Sequence, residues 1–477
     1  MTDLDRAYKA LKEKATEYTL AFQYADGNQP LKYSTNRLQE AFRDLTTAFS
    51  QNWVSVVLNS ALDRMKFKGW SVDDTSQNDQ FAEIYDSQQI GIEGYDAHKA
   101  ALVTSEAFII AWMEDDGIEV YYNDPRMCHV FYDADNPKQK EYAAKWYKDS
   151  ENKYHMTLYY EDRLEYYETA PVKQVPSSAG SFKASDPETA PNPYGVIPVF
   201  HFSMSRHSDV SELTNIVTLQ DAVNKLFADM MVSAEFGAFK QRYIISNADI
   251  KTLRNAPNEI WQLPTGDGVG QGTQVGEFGG TPLDNYLNAI DKLANSIAII
   301  SRTPKHYFYA SGSSISGEAL IAMEAPLIAK VEHYEEIFGV TWKELGSFLM
   351  LLQGEIVAAE DIELVWSPAQ SVQPQMEANT LKTLKETGVP LDIALRWAGK
   401  TEKEIKEITD LLKKEKADAA TQASLMIEKI RAQNAQSNQA DPDQNTNALK
   451  EADNPNAPPK GVTPPQLQAT QLPPKNP

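Results

Sequence analysis

The sequence has almost no cysteine, no long apolar run and a shortage of basic residues. Its one cysteine, Cys128, excludes a disulfide within the chain, and a buried thiol in a reducing compartment is the expected state. Apolar runs such as AFIIAW at 107–112 are far too short to span a bilayer, and the N-terminal MTDLDRAYKALKEK lacks the pattern of a signal peptide. We therefore expect no membrane partner.

Positive charge is scarce. The 477 residues include 45 Lys and Arg against 67 Asp and Glu, which gives a net charge of −22. Tight binding to DNA phosphates needs basic residues, so the chain is a poor candidate for tight, sequence-neutral DNA binding. Acidic walls would suit a channel through which DNA slides. Charge alone, however, favours the simpler explanation that acidity provides solubility.

Patterns of catalytic or cofactor-binding residues are absent as well. The glycines at 266, 268, 270 and 272 do not fit the dinucleotide-binding spacing, and no lysine follows to complete a nucleotide phosphate loop. Gly312–Ser316 approaches a nucleophile elbow but follows no predicted strand, so its serines are better explained as capping and loop residues. We expect no enzyme activity and no cofactor.

Metal-ligating residues are also sparse. The seven histidines are scattered, and no pair has the spacing of a zinc-binding helix. His333 is interpreted as a surface or interface residue. Glu114, Asp115 and Asp116 cluster at the tip of a predicted hairpin, where a solvated turn explains them better than a metal. The sequence therefore predicts no metal site.

The hydrophobic pattern predicts a mixed α+β chain. Helices are predicted at 3–24, 36–66, 79–103, 211–239, 281–301 and 316–354, with further helices from Pro374, Pro390 and Thr401. A hairpin turning at Asp116-Gly117 and strands at 126–133, 141–148, 153–160, 163–168, 196–202, 242–245, 259–263 and 361–369 are also predicted. Residues 169–194 are predicted to form a long loop. From residue 431 the composition predicts disorder.

The most regular part of the chain is 281–354, two helical patterns joined by an aromatic and Ser/Gly-rich loop. The first pattern has an apolar stripe of Leu283, Leu287, Ile290, Ala294 and Ile297, and a polar face of Asp284, Asn288, Asp291 and Asn295. The second contains Pro326, whose missing backbone donor predicts a kink and not a break. This arrangement predicts a strut and not an active site.

Six segments in a fixed order carry a resemblance to a known family. They are DGNQPL at 26–31, NWVSVVLNSALDRMKFKGW at 52–70, GVIPVFHF at 195–202, LQDAVNKLFADMM at 219–231, SRTPKHYF at 301–308 and SGEALIAMEAPLIAKVE at 316–332. Together they resemble the portal proteins of long-tailed double-stranded DNA phages, most closely those of Gram-positive and actinobacterial hosts. Order and spacing, over most of the chain up to about residue 412, carry the resemblance.

The resemblance implies an α+β portal-type fold with an α/β wing, a two-helix stem, an inserted small β/α clip, a long kinked helix and a helical crown. The implied ranges are 1–210 for the wing, 211–239 and 281–302 for the stem helices, 240–280 for the clip, 303–316 for the tunnel loop, 317–370 for the long wing helix and strand, 371–430 for the crown and 431–477 for a disordered tail.

The resemblance also implies a function. Portal proteins form a ring, typically a dodecamer, at one capsid vertex of the virion, and they assemble in the host cytoplasm. Double-stranded DNA passes non-specifically through the ring during packaging and ejection. The implied partners are terminase, the major capsid and scaffolding proteins and the head-tail adaptor. Since the terminase motor supplies the energy, no catalytic residue is expected.

Three sets of site residues follow from the resemblance. Asp284, Asn288, Asp291 and Asn295 are expected to line the channel. In the tunnel loop, Lys305 and His306 are expected to touch phosphates, while Tyr307, Phe308 and Tyr309 either do the same or, as the favoured alternative, anchor subunits to each other. In the clip, Trp261, Gly266, Asp267, Gly268 and Gly270 are expected to bind partners.

Two other classes of protein remain open at this point: an acidic helical scaffold or interaction protein of non-portal type, and an enzyme with an unrecognised site. Molecular size separates them from a portal, because a ring of many subunits would be far larger than the monomer or dimer expected of a scaffold or enzyme.

Overall fold

A computed structural model describes the protein over residues 1–32, 51–205, 210–238, 242–245, 274–277, 279, 282–309, 317–370, 374–398, 400 and 402–437. Helices and antiparallel sheets alternate through these ranges, so the predicted α+β class is confirmed. The chain divides into two compact units, Met1–Glu407 and Ile408–Pro477.

Four helices form much of the N-terminal region over its described residues, 1–32 and 51–104. They are α1 (Asp3–Asp26), α2 (Trp53–Leu62), α3 (Thr75–Ser87) and α4 (Ile90–Thr104). Thr2 and Asp5 form a capping box at the start of α1, since each side chain accepts from the other's backbone N–H. The prediction of one helix over 79–103 was wrong, because Gln89 adopts a left-handed conformation (φ 51°) that separates α3 from α4.

The predicted helix over 36–66 also needs correction at its end. Helix α2 stops at Leu62, and strand β1 (Phe67–Ser71) follows, paired antiparallel with β12 (Glu363–Trp366). The aromatic residues of β1 fit a pleated, buried surface better than a further helical turn. Residues 36–50 of the predicted helix lie outside the described residues.

Two antiparallel sheets make up the β-rich block. The three-stranded sheet has the order β3–β2–β9, with β2 (Glu106–Glu114), β3 (Gly117–Asn123) and β9 (Val199–Ser203). The five-stranded meander contains β4 (Cys128–Tyr132), β5 (Lys140–Lys148), β6 (Tyr154–Tyr159), β7 (Arg163–Glu168) and β8 (Lys183–Pro191). The predicted hairpin at Asp116-Gly117 and the predicted meander are confirmed.

The prediction of a long loop over 169–194 was wrong. A 3₁₀ turn (Ala179–Ser181) and strand β8 lie within it, and β8 pairs with β7 from Glu168↔Lys183 to Arg163↔Pro191. Strand β8 reads KASDPETAP and is mostly exposed, so it has no apolar alternation to reveal it. It is also the edge strand of its sheet, where proline is tolerated.

The main core is organised around the long helix α7 (Gly317–Leu352). Its buried side chains follow the helical repeat, and the largest, Trp342, stacks on Phe67 with ring centroids 4.1 Å apart. The Trp70 indole donates to the Trp342 carbonyl at 2.7 Å. A Cβ at Gly346 would lie 2.7 Å from the Trp70 ring, so glycine is required for this close approach.

The helices predicted at 211–239 and 281–301 begin a few residues later than predicted. Helix α5 (Val217–Ala238) begins after 211, because residues 212–216 form turns fixed by the Glu212 N–H donating to the Leu102 carbonyl at 3.0 Å. Helix α6 (Asp284–Ser301) begins with Leu283 at its N-cap position. Helix α7 continues through Pro326, and the predicted kink there remains a prediction.

Three C-terminal helices follow a short 3₁₀ turn at Ala359–Asp361: α8 (Pro374–Glu386), α9 (Leu391–Trp397) and α10 (Glu402–Ser437). Helix α10 extends past residue 430, so the predicted start of disorder at 431 was wrong. The residues RAQNAQS at its end include good helix formers, which allow the helix to continue. Residues 438–477 lie outside the described part of the chain.

Candidate functional site

The polar face of α6 is exposed in the single chain. Asp284, Asn288, Asp291 and Asn295 recur every three or four residues, which places them on one side of the helix. All four are exposed, whereas Ile290, Ala294 and Ile297 on another face are buried. The arrangement leaves two carboxylates and two amides on a face that can look into a channel or solvent.

The apolar face of α6 packs in part against α5. Val223 of α5 and Ile290 of α6 are buried in the main core, and the Ser233 and Tyr286 hydroxyls lie 2.9 Å apart between the two helices. Leu283 and Leu287, at the start of the predicted apolar stripe, are 39% and 51% exposed. The stripe is therefore covered at its C-terminal end and open at its N-terminal end.

An ion pair joins the polar face to the loop that follows α6. Lys305, in the 3₁₀ turn Lys305–Tyr307, places its Nζ 3.2 Å from Asp291 Oδ1. Both side chains are about half exposed, so the pair contributes roughly 0–1 kcal/mol to stability. Its main consequence is electrostatic, because it neutralises one of the two acids on the α6 face.

The tyrosine of this loop belongs to a half-buried polar cluster. The Arg64 guanidinium donates to the Tyr307 hydroxyl at 2.8 Å, and that hydroxyl donates to Glu324 Oε1 at 3.0 Å. Arg64 Nη2 also lies 3.1 Å from Glu324 Oε2. Burial raises the pKa of Tyr307, so its hydroxyl keeps the proton that it donates. Residues from α7 and from just beyond α2 thereby hold the base of the loop.

The Arg64 side chain is only 15% exposed, and its carboxylate partner Glu324 lies far away in the chain.

The next two aromatic residues pack on a single tryptophan. Phe308 and Tyr309 each place their ring centroid 5.8 Å from that of Trp53, with edge-to-face geometry. The Trp53 backbone N–H in turn donates to Gln220 of α5 at 3.0 Å. These aromatic side chains therefore anchor the loop within its own chain, and their predicted role between subunits remains a prediction. His306 forms a close ring contact with Tyr307.

A second polar cluster holds the end of α6 against α7. Lys330 Nζ donates to the Ser301 carbonyl and to Glu212 Oε1, both at 2.7 Å. The Tyr334 hydroxyl donates to the other carboxylate oxygen of Glu212. The Lys330 and Glu212 side chains are only 7% and 9% exposed. A cation at the C-terminal carbonyls of α6 also matches the helix dipole.

The sequence analysis did not predict these two clusters. One of them could have been suspected from the position of Lys330. Lys330 flanks the apolar face of α7 that carries Leu327, Val331 and Tyr334, all buried. A lysine beside such a face needs a partner. The partner, Glu212, lies far away in the sequence, and no local pattern identifies it.

Only part of the predicted clip is described. Strands β10 (Arg242–Ile245) and β11 (Gln274–Glu277) pair antiparallel between α5 and α6. The predicted partner-binding residues Trp261, Gly266, Asp267, Gly268 and Gly270, and the predicted strand at 259–263, lie outside the described residues. Tyr243 and Ile245 of the pair are exposed.

Of the residues considered as catalytic or metal-binding candidates, the glycines at 266–272 and residues 312–316 lie outside the described part of the chain. Within the described ranges, no group of three or more His, Cys, Asp or Glu side chains is arranged to hold a metal ion. Glu114, Asp115 and Asp116 are exposed at the β2–β3 turn, and His333 is exposed on α7. Cys128 is buried, and burial raises the pKa of its thiol.

The length and apolar character of the helices can be compared with what crossing a membrane requires. Among those that the structure describes, none combines the length and the apolar character that crossing a bilayer requires.

Comparison with known proteins identifies the class. The phage portal protein family described as SPP1 Gp6-like matches residues 5–422, nearly the whole of the described fold. The chain belongs to this family, and the resemblance inferred from the sequence is confirmed.

Two named relatives are portal proteins of Mycobacterium phages D29 and L5. Each is 29% identical over 168 residues, which cover 32% of this chain. The chain spans about a third of the length of these relatives, 34% in each case. Their actinobacterial host agrees with the resemblance.

Among solved structures, a chain from the neck of an empty GTA particle is similar, with a TM-score of 0.42 and 12% identity. The match covers 79% of this chain and 96% of that one.

Proposed function

We propose that the protein forms a ring, a dodecamer by analogy with its family, at one vertex of a phage capsid. Double-stranded DNA would pass through the ring during packaging and ejection. The observation that carries the proposal is the family match over residues 5–422, a range that includes α5 and α6, the two helices predicted to form the stem, and the long helix α7.

The exposed face of α6 supports a channel role. Asp284, Asn288, Asp291 and Asn295 present carboxylates and amides, neither of which holds phosphates tightly. In a ring, each side chain would recur once per subunit, so a modest local charge would become a collar. Salt would screen this collar over roughly 8–10 Å. The collar would reduce friction on DNA without reading its sequence.

The remaining roles follow from the same assignment. The clip would provide the docking surface for terminase and later for the head-tail adaptor, and the major capsid and scaffolding proteins would surround the ring in the virion. The protein would be structural and without a cofactor, and it would assemble in the host cytoplasm. The packaging motor would supply the energy.

The decisive experiment is negative-stain electron microscopy of the purified protein, together with mass photometry. A ring with a central hole, at a multiple of the 53.3 kDa chain mass, is the expected result. A uniform monomer or dimer under assembly conditions would contradict the proposal and would favour an acidic scaffold or interaction protein.

A further inference from the structure

A cavity of about 730 Å³ lies in the unit Met1–Glu407, lined by residues of β4, β9 and α7 together with parts of α1 and β2. None of the residues that line it belongs to α6 or to the loop that follows α6, so it is separate from the proposed channel face. Its volume falls within the roughly 300–1,000 Å³ that is typical of sites for small molecules. A small ligand would fit, and the lining residues decide its chemistry.

One buried carboxylate, that of Glu106 at the start of β2, faces the cavity. Lys14 Nζ and the Tyr18 hydroxyl each lie 2.6 Å from Glu106 Oε1 and donate to it. The Lys14 ammonium group therefore already compensates the charge of Glu106. Because this ammonium group lies where a bound cation would have to approach the carboxylate, the cavity is not suited to a metal ion.

Two imidazoles on the cavity wall have ring nitrogens without hydrogen bonds. His129 Nδ1 lies 3.5 Å from Glu106 Oε1, and His201 Nε2 lies 3.4 Å from Glu106 Oε2. Both nitrogens are buried, and neither makes a hydrogen bond within the described part of the chain. The His201 side chain is only 10% exposed, and the Tyr132 hydroxyl lies 3.0 Å from its other ring nitrogen. A buried polar atom without a partner costs free energy, so a ligand that forms hydrogen bonds with these nitrogens would be stabilised.

Lys140, on β5, brings a further donor to the wall. Its Nζ donates to the Val199 carbonyl at 3.1 Å and lies 3.5 Å from Glu344 Oε2. An ammonium group has three donors, so Lys140 has donor capacity left for a ligand. Burial lowers the pKa of Lys140, and burial also lowers the pKa of His201. A negatively charged ligand would offset this effect, because it favours the protonated form of both groups.

The sign of the charge on the wall differs between its buried and its exposed parts. The ammonium groups of Lys14 and Lys140 belong to mostly buried side chains, and Glu106 is the one buried carboxylate that opposes them on the wall. The other two carboxylates, of Glu336 and Glu344, have side chains that are 83% and 47% exposed, so solvent screens them. The buried part of the wall therefore has an excess of positive charge and of hydrogen-bond donors.

We propose that this cavity binds a small oxyanion, of the phosphate or carboxylate class, between Lys140 and the imidazoles of His129 and His201. The ammonium group supplies charge and donors, and the imidazoles donate to the oxygens of the ligand. Phosphate and carboxylate share this chemistry, because both present several acceptor oxygens together with a negative charge. The inference does not depend on the proposed ring, so failure of either leaves the other standing.

Isothermal titration calorimetry of the purified full chain with sodium phosphate, and in a second arm with sodium acetate, tests the ligand class at constant ionic strength. Saturable binding of at least one of the two, at one site per chain, is expected. Lys140→Met should weaken this binding by about tenfold or more, because it removes a charged donor. The matched control is Lys148→Met, in the same strand but exposed and outside the cavity wall. Absence of saturable binding for both anions, or an equal loss in both variants, would overturn the inference.

A measurement on the unmodified protein does not depend on the folding of the variants. Exchange of the imidazole C2 hydrogen, followed by mass spectrometry across a pH series, gives the titration of individual histidines. The anion that binds should raise the pKa of His201, because an adjacent negative charge favours the imidazolium form. His98 is also buried but does not line the cavity, so its exchange should not respond. The same response at both histidines, or at neither, would contradict binding at this site.

Discussion

Lys305 Nζ lies 3.2 Å from Asp291 Oδ1, so a residue of the predicted tunnel loop neutralises a residue of the predicted channel face within one chain. The acidic collar inferred from the sequence treated Asp284 and Asp291 as equivalent. In the structure they differ, because the described residues provide an ion pair for Asp291 and none for Asp284. The pair keeps a lysine close to the proposed DNA path but engaged with a carboxylate.

This difference predicts unequal effects of two similar substitutions. Asp291→Asn should release Lys305 to bind phosphates, whereas Asp284→Asn changes the charge equally but releases no lysine. Binding of linear duplex DNA by purified rings should therefore tighten more with Asp291→Asn. The slope of log K against log salt should steepen by about 0.9 for each additional phosphate that the rings neutralise. Adding Lys305→Ala to Asp291→Asn should reverse the tighter binding, and equal behaviour of the two asparagine variants would contradict the role of the pair.

We predict that the cluster of Arg64, Tyr307 and Glu324 contributes measurably to the free energy of unfolding. Arg64→Ala removes the partner of two half-buried groups and should cost about 1–3 kcal/mol of unfolding free energy. A double-mutant cycle with Glu324→Gln, followed by urea denaturation, should give a coupling energy well above that of an exposed pair. The exposed pair Lys382–Glu386 is a suitable control. Additive effects in both cycles would show that the Arg64 cluster contributes nothing specific.

We predict that Glu335 makes the free energy of unfolding depend on pH. Burial, and after it the charge of Glu332, raises the pKa of Glu335 from the ordinary 4.5 to about 8. Its Oε1 is buried and has no hydrogen-bond partner among the described residues. Between pH 4.5 and 8 the folded protein then binds more protons at this site than the unfolded chain does, so the contribution of Glu335 to stability falls as pH rises.

The test compares Glu335→Gln with the unmodified protein in urea unfolding across that range. The two should have similar stability near pH 4.5, and the variant should become progressively more stable relative to the unmodified protein up to about pH 8. Glu336→Gln, at a neighbouring but exposed side chain, serves as the control. A difference that stays constant with pH would refute the assignment.

The sequence alone predicted those elements whose spacing of apolar and polar residues matches their burial in the folded chain. The strand meander, the hairpin at Asp116-Gly117 and the exposed polar face of α6 all follow from alternation or helical spacing. The sequence did not predict elements whose local structure depends on contacts with residues far away in the chain. Strand β8 is polar and forms only because β7 provides a partner, and the turns at 212–216 precede α5 because Glu212 is held by Leu102, Lys330 and Tyr334.

The last prediction concerns Lys330, which holds the C-terminal end of α6. Lys330→Met leaves the Glu212 carboxylate nearly buried without its cation and removes a donor from the Ser301 carbonyl. Breaking a buried pair in this way costs about 3 kcal/mol or more. The loss should also be local: backbone amides near the end of α6, at 297–303, should exchange hydrogen faster in native conditions.

Hydrogen-exchange mass spectrometry of the full chain measures the local effect, with Lys292→Met, at an exposed position of α6, as the control. If Lys330→Met accelerated exchange equally throughout the core, its effect would be general destabilisation and not the release of one helix end. Faster exchange confined to the end of α6 would show that Lys330 fixes α6 to α7, and thereby sets the position from which Lys305 reaches Asp291.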